Sequence, residues 1–485
     1  MSINKAINRQ GFDWITFGVY LILVIIGVVS LFSVEYNNDN RFEFFDISGS
    51  GGKYLIIVVF SVLLFYMAYL MEWRFWSSFA LPIYLAGIFL LLAVLIFGSE
   101  IKGSRSWFNI SGFSFQPSEF AKLGTAFAIS AFFAQYKRDL NNPKVIFQAL
   151  GIVLLPVILI LFQPDAGSAL IFMSIFLLFY KIGLPPFIYL IGAILTATFV
   201  LTLMYNSDIV ILGAIDISIL LFAFIFIEKR WFIIVSIITA VLSFYLFQFY
   251  YGFIVIPVLS LLLLGSSVYY YLKKGIKSVL LLPITIVAIM FLSFGTEFVF
   301  NNVLKPHQQD RMNVWLDPDK CDPRGSLYNI LQSKTAIGSG GLLGKGYLEG
   351  NMTHLNYVPE QSTDFIFSAI GEEHGFIGVA LIVFLFTVLL FRIIAIGENG
   401  KTSFITYFAY TIAGFIFIHF VMNIGMNMGI LPVIGIPLPF ISKGGSSIMI
   451  FSILIGILLI MDSVRNVRYV FLNLSVIISL NFTFL

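Results

Sequence analysis

About fourteen apolar runs, each near the ~20 residues that a helix needs to cross a bilayer, fill most of this 485-residue chain. Inside lipid a backbone must satisfy its own polar groups, so only helices or a closed barrel can span it. Runs this long, without alternation of polar and apolar residues, favour helices. They lie at 14–34, 54–71, 76–98, 117–135, 146–162, 167–183, 186–205, 209–227, 231–249, 252–272 and 278–298, and then at 364–391, 403–427 and 446–462. The composition agrees: 11% of residues are charged, against ~25% in a typical soluble domain. An all-α polytopic membrane protein is expected. The net charge of +3 offers nothing to nucleic acid, and the single cysteine, Cys321, excludes an intramolecular disulfide. The first apolar run is long enough to be an uncleaved anchor. The tail 469–485 is apolar but short and broken by asparagines.

Basic residues orient the spans. With Lys5 and Arg9 in the cytoplasm, alternate connections carry Arg74, then Lys137, Arg138 and Lys144, Lys181, Lys229 and Arg230, then Lys273, Lys274 and Lys277, then Arg392 and Lys401, and finally Arg465 and Arg468. The short opposite turns near 163–166, 206–208 and 249–251 have no Lys or Arg, as the positive-inside rule requires. A charged, glycine-rich island from Asn301 to Asp364 then falls on the outer face. Basic residues on that face cluster at Lys102, Arg105, Arg311, Arg324, Lys334, Lys345 and Lys443. An anionic ligand would explain them; so would the freedom of long translocated loops from the rule.

Four segments could carry chemistry, and all map to outer helix ends. In the first, Arg105 and Trp107 precede Gln116, Pro117, Ser118, Glu119 and Lys122. Pro117 and Ser118 look like a helix start, which puts Glu119 and Lys122 on one face. Such a pair within a membrane is costly unless it faces a cavity or closes on itself. The second is Gln163-Pro164-Asp165-Ala166-Gly167-Ser168, where Asp165 is a natural helix cap. The third is the island, with Asp317, Asp319 and Asp322 in turn-forming contexts. Its Gly338–Gly346 stretch fails as a phosphate loop, because Ser339 and Gly346 stand where that motif needs Gly and Ser/Thr. Those glycines instead suggest close backbone approach or tight turns. The fourth, Pro432–Ser447, has too many prolines and glycines for regular helix. Irregular backbone near membrane depth is tolerated only where protein buries it or a cavity adjoins it. The four histidines show no metal-ligand spacing. Asp216, inside a predicted span, should have a buried partner.

At these segments the chain closely resembles the RodA/FtsW (SEDS) family of bacterial cell-wall polymerases. The matching strings are GSRSWF with QPSEFAKL, QPDAGSA, DPRGSLYNILQSKTAIGSGGLLGKGYLEG with PEQSTDFIFSAIGEEHGFIG, and GILPVIGIPLPFISKGGSS. They occur in the family's order, and the IPLPF wording resembles the RodA, or elongation, branch more than the FtsW, or division, branch. Two departures stand out: Lys443 replaces the usual tyrosine, and Ala166 the usual leucine. The resemblance implies about ten core spans, to which about four are added here on the spacing rule. The expected organisation is 1–206 core, 207–277 inserted helices, 278–300 core, 301–363 an extracytoplasmic catalytic loop, 364–463 core and 464–485 tail.

The resemblance also implies a reaction. Lipid II would be polymerised by transfer of a glycan from undecaprenyl pyrophosphate to the 4-hydroxyl of another lipid II. The family's catalytic aspartate maps onto Asp322, because Pro323, Gly325, Gln332, Ser333 and Lys334 follow in register. Inversion needs a base for the hydroxyl and stabilisation of the leaving pyrophosphate. Arg105, Lys122, Arg324, Lys334 and Lys345 are the candidate cations, with Glu119 holding Lys122; magnesium or manganese is a further candidate. Trp107, Gln116, Ser118, Asp165, Gln332, Ser333, Glu360, Asp364 and Ser442 complete the expected substrate-binding set. The implied partners are a class B penicillin-binding protein and elongation-complex proteins, in the bacterial inner membrane. The alternatives are a lipid II flippase, a division-branch polymerase or a non-catalytic scaffold.

Overall fold

In the computed structural model, the described residues are 12–36, 46, 49–101, 103–110, 113–136, 142–227, 231–250, 252–304, 306–318, 321, 325–355 and 357–463. They form two compact units, one of residues 1–184 with 322–485 and one of 185–321.

The first unit opens with α1 (Trp14–Val34) and α2 (Ser50–Leu70), followed by the single-turn α3 (Trp73–Ser78) and α4 (Ala80–Phe97). The predicted span 76–98 is thus broken at Phe79. A three-stranded antiparallel sheet follows: β1 (Ser99–Ile101), β2 (Ser104–Ile110) and β3 (Phe113–Phe115). This small sheet is an addition to the expected helical architecture. The β1–β2 turn is tight because Gly103 adopts φ +82°, which glycine reaches without strain. Next come α5 (Pro117–Tyr136), α6 (Pro143–Leu161), α7 (Ala166–Ile171) and, after a 3-10 turn, α8 (Ile175–Ile182). Pro117 sits at the first position of α5, where a missing N–H costs nothing, and Asn142 caps α6 ahead of Pro143.

The second unit holds α9 (Pro186–Met204), α10 (Ser207–Phe226), α11 (Trp231–Tyr250), α12 (Gly252–Lys274), α13 (Leu281–Asn302) and α14 (Pro306–Leu316). Helix α10 packs on α11, α12 and α13. The contact is built from Ile211, Leu212, Ile215 and Phe222 against Ile256, Leu263 and Ile286. Asp216 has its expected partner: it meets the Ser243 hydroxyl at 2.8 Å. Among the described residues the interval 207–277 holds three helices, not four, because three spans of ~20 residues with their turns already fill it. Any fourth added helix lies outside that interval.

The chain returns to the first unit with α15 (Ser326–Ser339), α16 (Asn351–His354), α17 (Ile366–Glu398), α18 (Ser403–Asn427) and α19 (Gly445–Ser463). Helix α19 packs on α2, α5 on α4 and α18, and α17 on α1, α15 and α18. The expected bounds of 403–427 are reproduced, whereas the helices within the island, α14 to α16, were not expected.

Among the described residues, twelve helices are long and apolar enough to cross a membrane. The remaining two of the fourteen expected spans are α5, which carries Glu119 and Lys122, and the 17-residue, interrupted stretch Ala166–Ile182. These two fall short because they carry or adjoin the polar segments.

Candidate active site

Three of the four segments meet where α5, α7 and α19 begin. The Gln116 side-chain amide donates to Asp165 Oδ2 at 2.8 Å and to Ser168 Oγ at 3.2 Å. Asp165 caps α7, accepting the Ser168 N–H at 3.0 Å and its hydroxyl at 2.8 Å. Capping and site building therefore coincide in one carboxylate. The Gln116 backbone N–H donates to Ser446 Oγ at 3.0 Å, and Ser118 reaches Ser168 at 3.3 Å. A Cβ on Gly167 would lie 2.6 Å from the Ile434 carbonyl, so a larger residue could not pack against the broken Pro432–Ser447 segment.

The island is joined to the same segment through α18. Asn423 donates to the carbonyls of Asp364 and Ile436, both at 2.9 Å, and Asn427 donates to Asp364 at 3.0 Å. Ser333, on α15, donates to the Asn427 carbonyl at 2.9 Å. The Lys443 N–H donates to Ser362 at 2.9 Å, and its ammonium pairs with Glu35, which also accepts from Ser50 at 2.8 Å. The lysine that replaces an expected tyrosine thus has an ionic partner on the segment after α1.

The glycine-rich stretch is structural. Gly340 and Gly344 lie against the Gly371 and Glu373 carbonyls; a Cβ at either would come within 2.0 Å of them. Gly375 (φ 61°, ψ −159°) kinks α17. The Phe376 and Ile377 N–H groups donate to Gly341 at 2.9 Å and Leu342 at 3.2 Å. Buried Glu372 collects the Lys345 ammonium at 2.6 Å, the Met352 N–H at 3.0 Å, the Thr353 N–H at 2.9 Å and the Thr353 hydroxyl at 2.8 Å.

These contacts sort the predicted site residues. Glu119 and Lys122 are 2% and 1% exposed and pair at 2.7 Å, so the pair closes on itself. Lys122 Nζ also lies 2.9 Å from His419 Nε2. Lys345 is committed to Glu372. Ser333 is fully buried, and Ser442 exchanges hydrogen bonds with the Leu438 backbone, accepting at 2.9 Å and donating at 3.0 Å. Each of these side chains is thus engaged by a partner within the protein. Arg105 on β2, Lys334 on α15 and Glu360 are exposed, while Trp107, Gln116, Gln332, Asp165 and Asp364 are half-buried. Asp322, Asp319 and Arg324 lie outside the described residues, as does the tail 464–485. Among the described residues no three His, Cys, Asp or Glu side chains converge as a metal site.

Sequence reasoning overlooked His419, Asn423 and Asn427. Their spacing of four along an otherwise apolar helix was the available signal, since it stacks them on one face. Glu372 lies within the PEQSTDFIFSAIGEEHGFIG string but has no role assigned from sequence.

Comparisons with known proteins identify the family and the fold. The sequence profile FTSW_RODA_SPOVE, described as a cell cycle protein, matches residues 13–216 and 225–466. The peptidoglycan glycosyltransferase RodA of Treponema pallidum is 30% identical over 92% of this chain and 96% of its own length. The peptidoglycan glycosyltransferase MrdB of Escherichia coli K12 is 28% identical over 81% of this chain and 80% of its own. A probable FtsW of Haemophilus influenzae is 28% identical over 94% and 92%. Among solved structures, the rod shape determining protein RodA of Thermus thermophilus aligns with TM-score 0.52 and 22% identity over 95% of this chain and 98% of that one. A chain from work on a peptidoglycan synthase complex that coordinates polymerization and crosslinking aligns with TM-score 0.59 and 22% identity over 94% and 99%.

Proposed function

This chain belongs to the FTSW_RODA_SPOVE family, and from that membership we propose that it is a RodA-like peptidoglycan glycosyltransferase, polymerising lipid II during cell elongation. The observation that supports this reading of the site is the hydrogen-bonded linkage of Gln116, Asp165, Ser446, the Asp364 carbonyl and Ser333, from segments tens to hundreds of residues apart. So much polar structure is costly inside an apolar bundle and is expected where a polar substrate must be held.

In this reading Asp322 is the general base. It removes the proton from the acceptor 4-hydroxyl as that oxygen attacks the anomeric carbon of the donor. The bond to undecaprenyl pyrophosphate breaks on the opposite face. Pyrophosphate leaves without protonation if cations neutralise it. Exposed Arg105 and Lys334 suit that role, together with Arg324. Lys122 and Lys345 act at one remove, by fixing α5 and the 345–353 turn. Both lipid substrates enter laterally from the bilayer. The site faces the periplasmic side of the bacterial inner membrane, with the N-terminus cytoplasmic, as the distribution of Lys and Arg requires. A crosslinking partner, a class B penicillin-binding protein, would act on the emerging strand. The three added helices between 207 and 277 offer a further surface for membrane partners.

Purified protein in detergent, supplied with lipid II, should form glycan polymer resolvable by gel. Asp322→Ala should lower the rate by about 10²- to 10⁴-fold, the range for loss of a general base. Polymerisation at the unmodified rate by the alanine variant would remove Asp322 from the mechanism. Lipid II translocation without polymer would favour a flippase.

A further inference from the structure

His419 is completely buried in the middle of α18. Its Nδ1 lies 3.0 Å from the carbonyl oxygen of Pro437, which can only accept. The ring proton therefore sits on Nδ1, and Nε2 presents a lone pair. That lone pair is 2.9 Å from Lys122 Nζ, so the ammonium donates to it. Lys122 Nζ is also ion-paired with Glu119 Oε2 at 2.7 Å. The Phe451 ring of α19 completes the enclosure, 5.2 Å from Lys122 Nζ and edge-to-face with His419 at 5.1 Å. One neutral imidazole thus joins α5, α18 and the irregular Pro432–Ser447 segment.

The chemistry explains why a histidine suits this position. Lys122 and Glu119 already cancel in charge. A second carboxylate would leave an excess buried negative charge, and an apolar residue would leave an ammonium N–H unpaired. Imidazole accepts from Lys122 without adding charge. Its other nitrogen simultaneously satisfies the Pro437 carbonyl, which regular helix would have paired.

We propose that His419 is a positioning residue for glycosyl transfer: locked as the Nδ1–H tautomer by Pro437, it holds the Lys122–Glu119 pair, and with it the start of α5, in register with the Pro432–Ser447 segment. The proposal rests on the glycosyltransferase reading, because the register it sets is that of Gln116 and Ser118 against Asp165, Ser168 and Ser446.

Two nearly isosteric substitutions separate the two bonds. His419→Gln can place an amide oxygen near the Nε2 position and still accept from Lys122. His419→Asn can donate to Pro437 but leaves Lys122 without that acceptor. Polymerisation of lipid II should persist within a few-fold in the glutamine variant. It should fall on the order of tenfold or more in the asparagine variant, mainly in kcat, as expected for loss of a hydrogen bond to a charged group. Equal activity and equal melting temperature in the two variants would overturn the proposal, because a packing role does not distinguish them. Nitrogen-15 NMR of histidine-labelled full-length protein gives a readout independent of catalysis. His419 should show a protonated Nδ1 and an unprotonated Nε2, with the Nε2 shift moving in Lys122→Met. The opposite tautomer, or no response to Lys122→Met, would refute the arrangement even if the protein made no polymer. Absence of polymer from the unmodified protein, with the expected tautomer present, would instead count against the glycosyltransferase reading alone.

Discussion

The two compact units are built from helices of the same hydropathy and differ in what they bury. In the first, α18 has mean hydropathy 1.8 and is 61% buried; in the second, residues 254–274 of α12 have the same hydropathy and are 17% buried. The buried faces differ in kind as well. Helix α18 carries His419, Asn423 and Asn427 inward, each bonded to backbone or to Lys122. The 185–321 unit is tied mainly by apolar contacts, with sparse side-chain links such as Asp216–Ser243 and Thr202–Ser293 at 3.1 Å. Hydropathy measures suitability for lipid; it does not tell which helix will be enclosed by protein. Packing that includes satisfied polar groups is specific, whereas packing of apolar faces alone tolerates sliding and substitution.

Substitutions matched across the two units test that contrast. The largest effect is expected at Gly344. Its φ of +84° and the 2.0 Å approach of the Glu373 carbonyl leave no room for a side chain. Gly344→Ala should cost more than about 3 kcal/mol, whereas Gly213→Ala in α10, with nothing within 4 Å of its Cβ, should be neutral or slightly stabilising. Thermal unfolding in detergent would compare them, and similar losses would erase the distinction between the units. Next is Glu372→Ala, which strands the donors that hold the 345–353 turn. A loss of about 2–4 kcal/mol, together with protease sensitivity near Tyr347, is expected. Unchanged cleavage would mean that the glycine contacts alone hold the turn. The smallest effect is expected for Asp216→Ala. Polar links between membrane helices average about 0.6 kcal/mol, so unfolding should shift slightly and polymerisation by less than about twofold. A large loss of polymerisation would show that the 185–321 unit contributes to the site chemically.

How far the sequence could be read depended on the kind of residue. Helix bounds were legible because lipid imposes length and composition locally: Ser403–Asn427 matches its expectation, and Pro117 marks the first residue of α5. Asp165 was read correctly as a cap, but a cap can also be a hub, and only the approach of Gln116 made it one. Lys122 looked like a cation for a leaving group and is instead enclosed, because the partners that enclose it come from residues about three hundred positions away. The small sheet at 99–115 was illegible, since two of its strands have three residues and the seven-residue β2, SRSWFNI, does not alternate. So were the three helices within the island, whose polar composition reads as loop.

The sequence by itself determined the class of solvent this chain folds in, the long apolar helices, and the family, because each depends on local composition or on short contiguous strings. Only the tertiary structure decided which polar groups face one another. Three of the four motifs meet at the ends of α5, α7 and α19, and the island joins them through Asn423 and Asn427. The glycine stretch is spent on backbone contact with α17, and Lys122 is held by His419. The physical reason is that a buried polar group is tolerable only with its partner in place, and in this chain the partners are separated by tens to hundreds of residues, at spacings that no local pattern encodes.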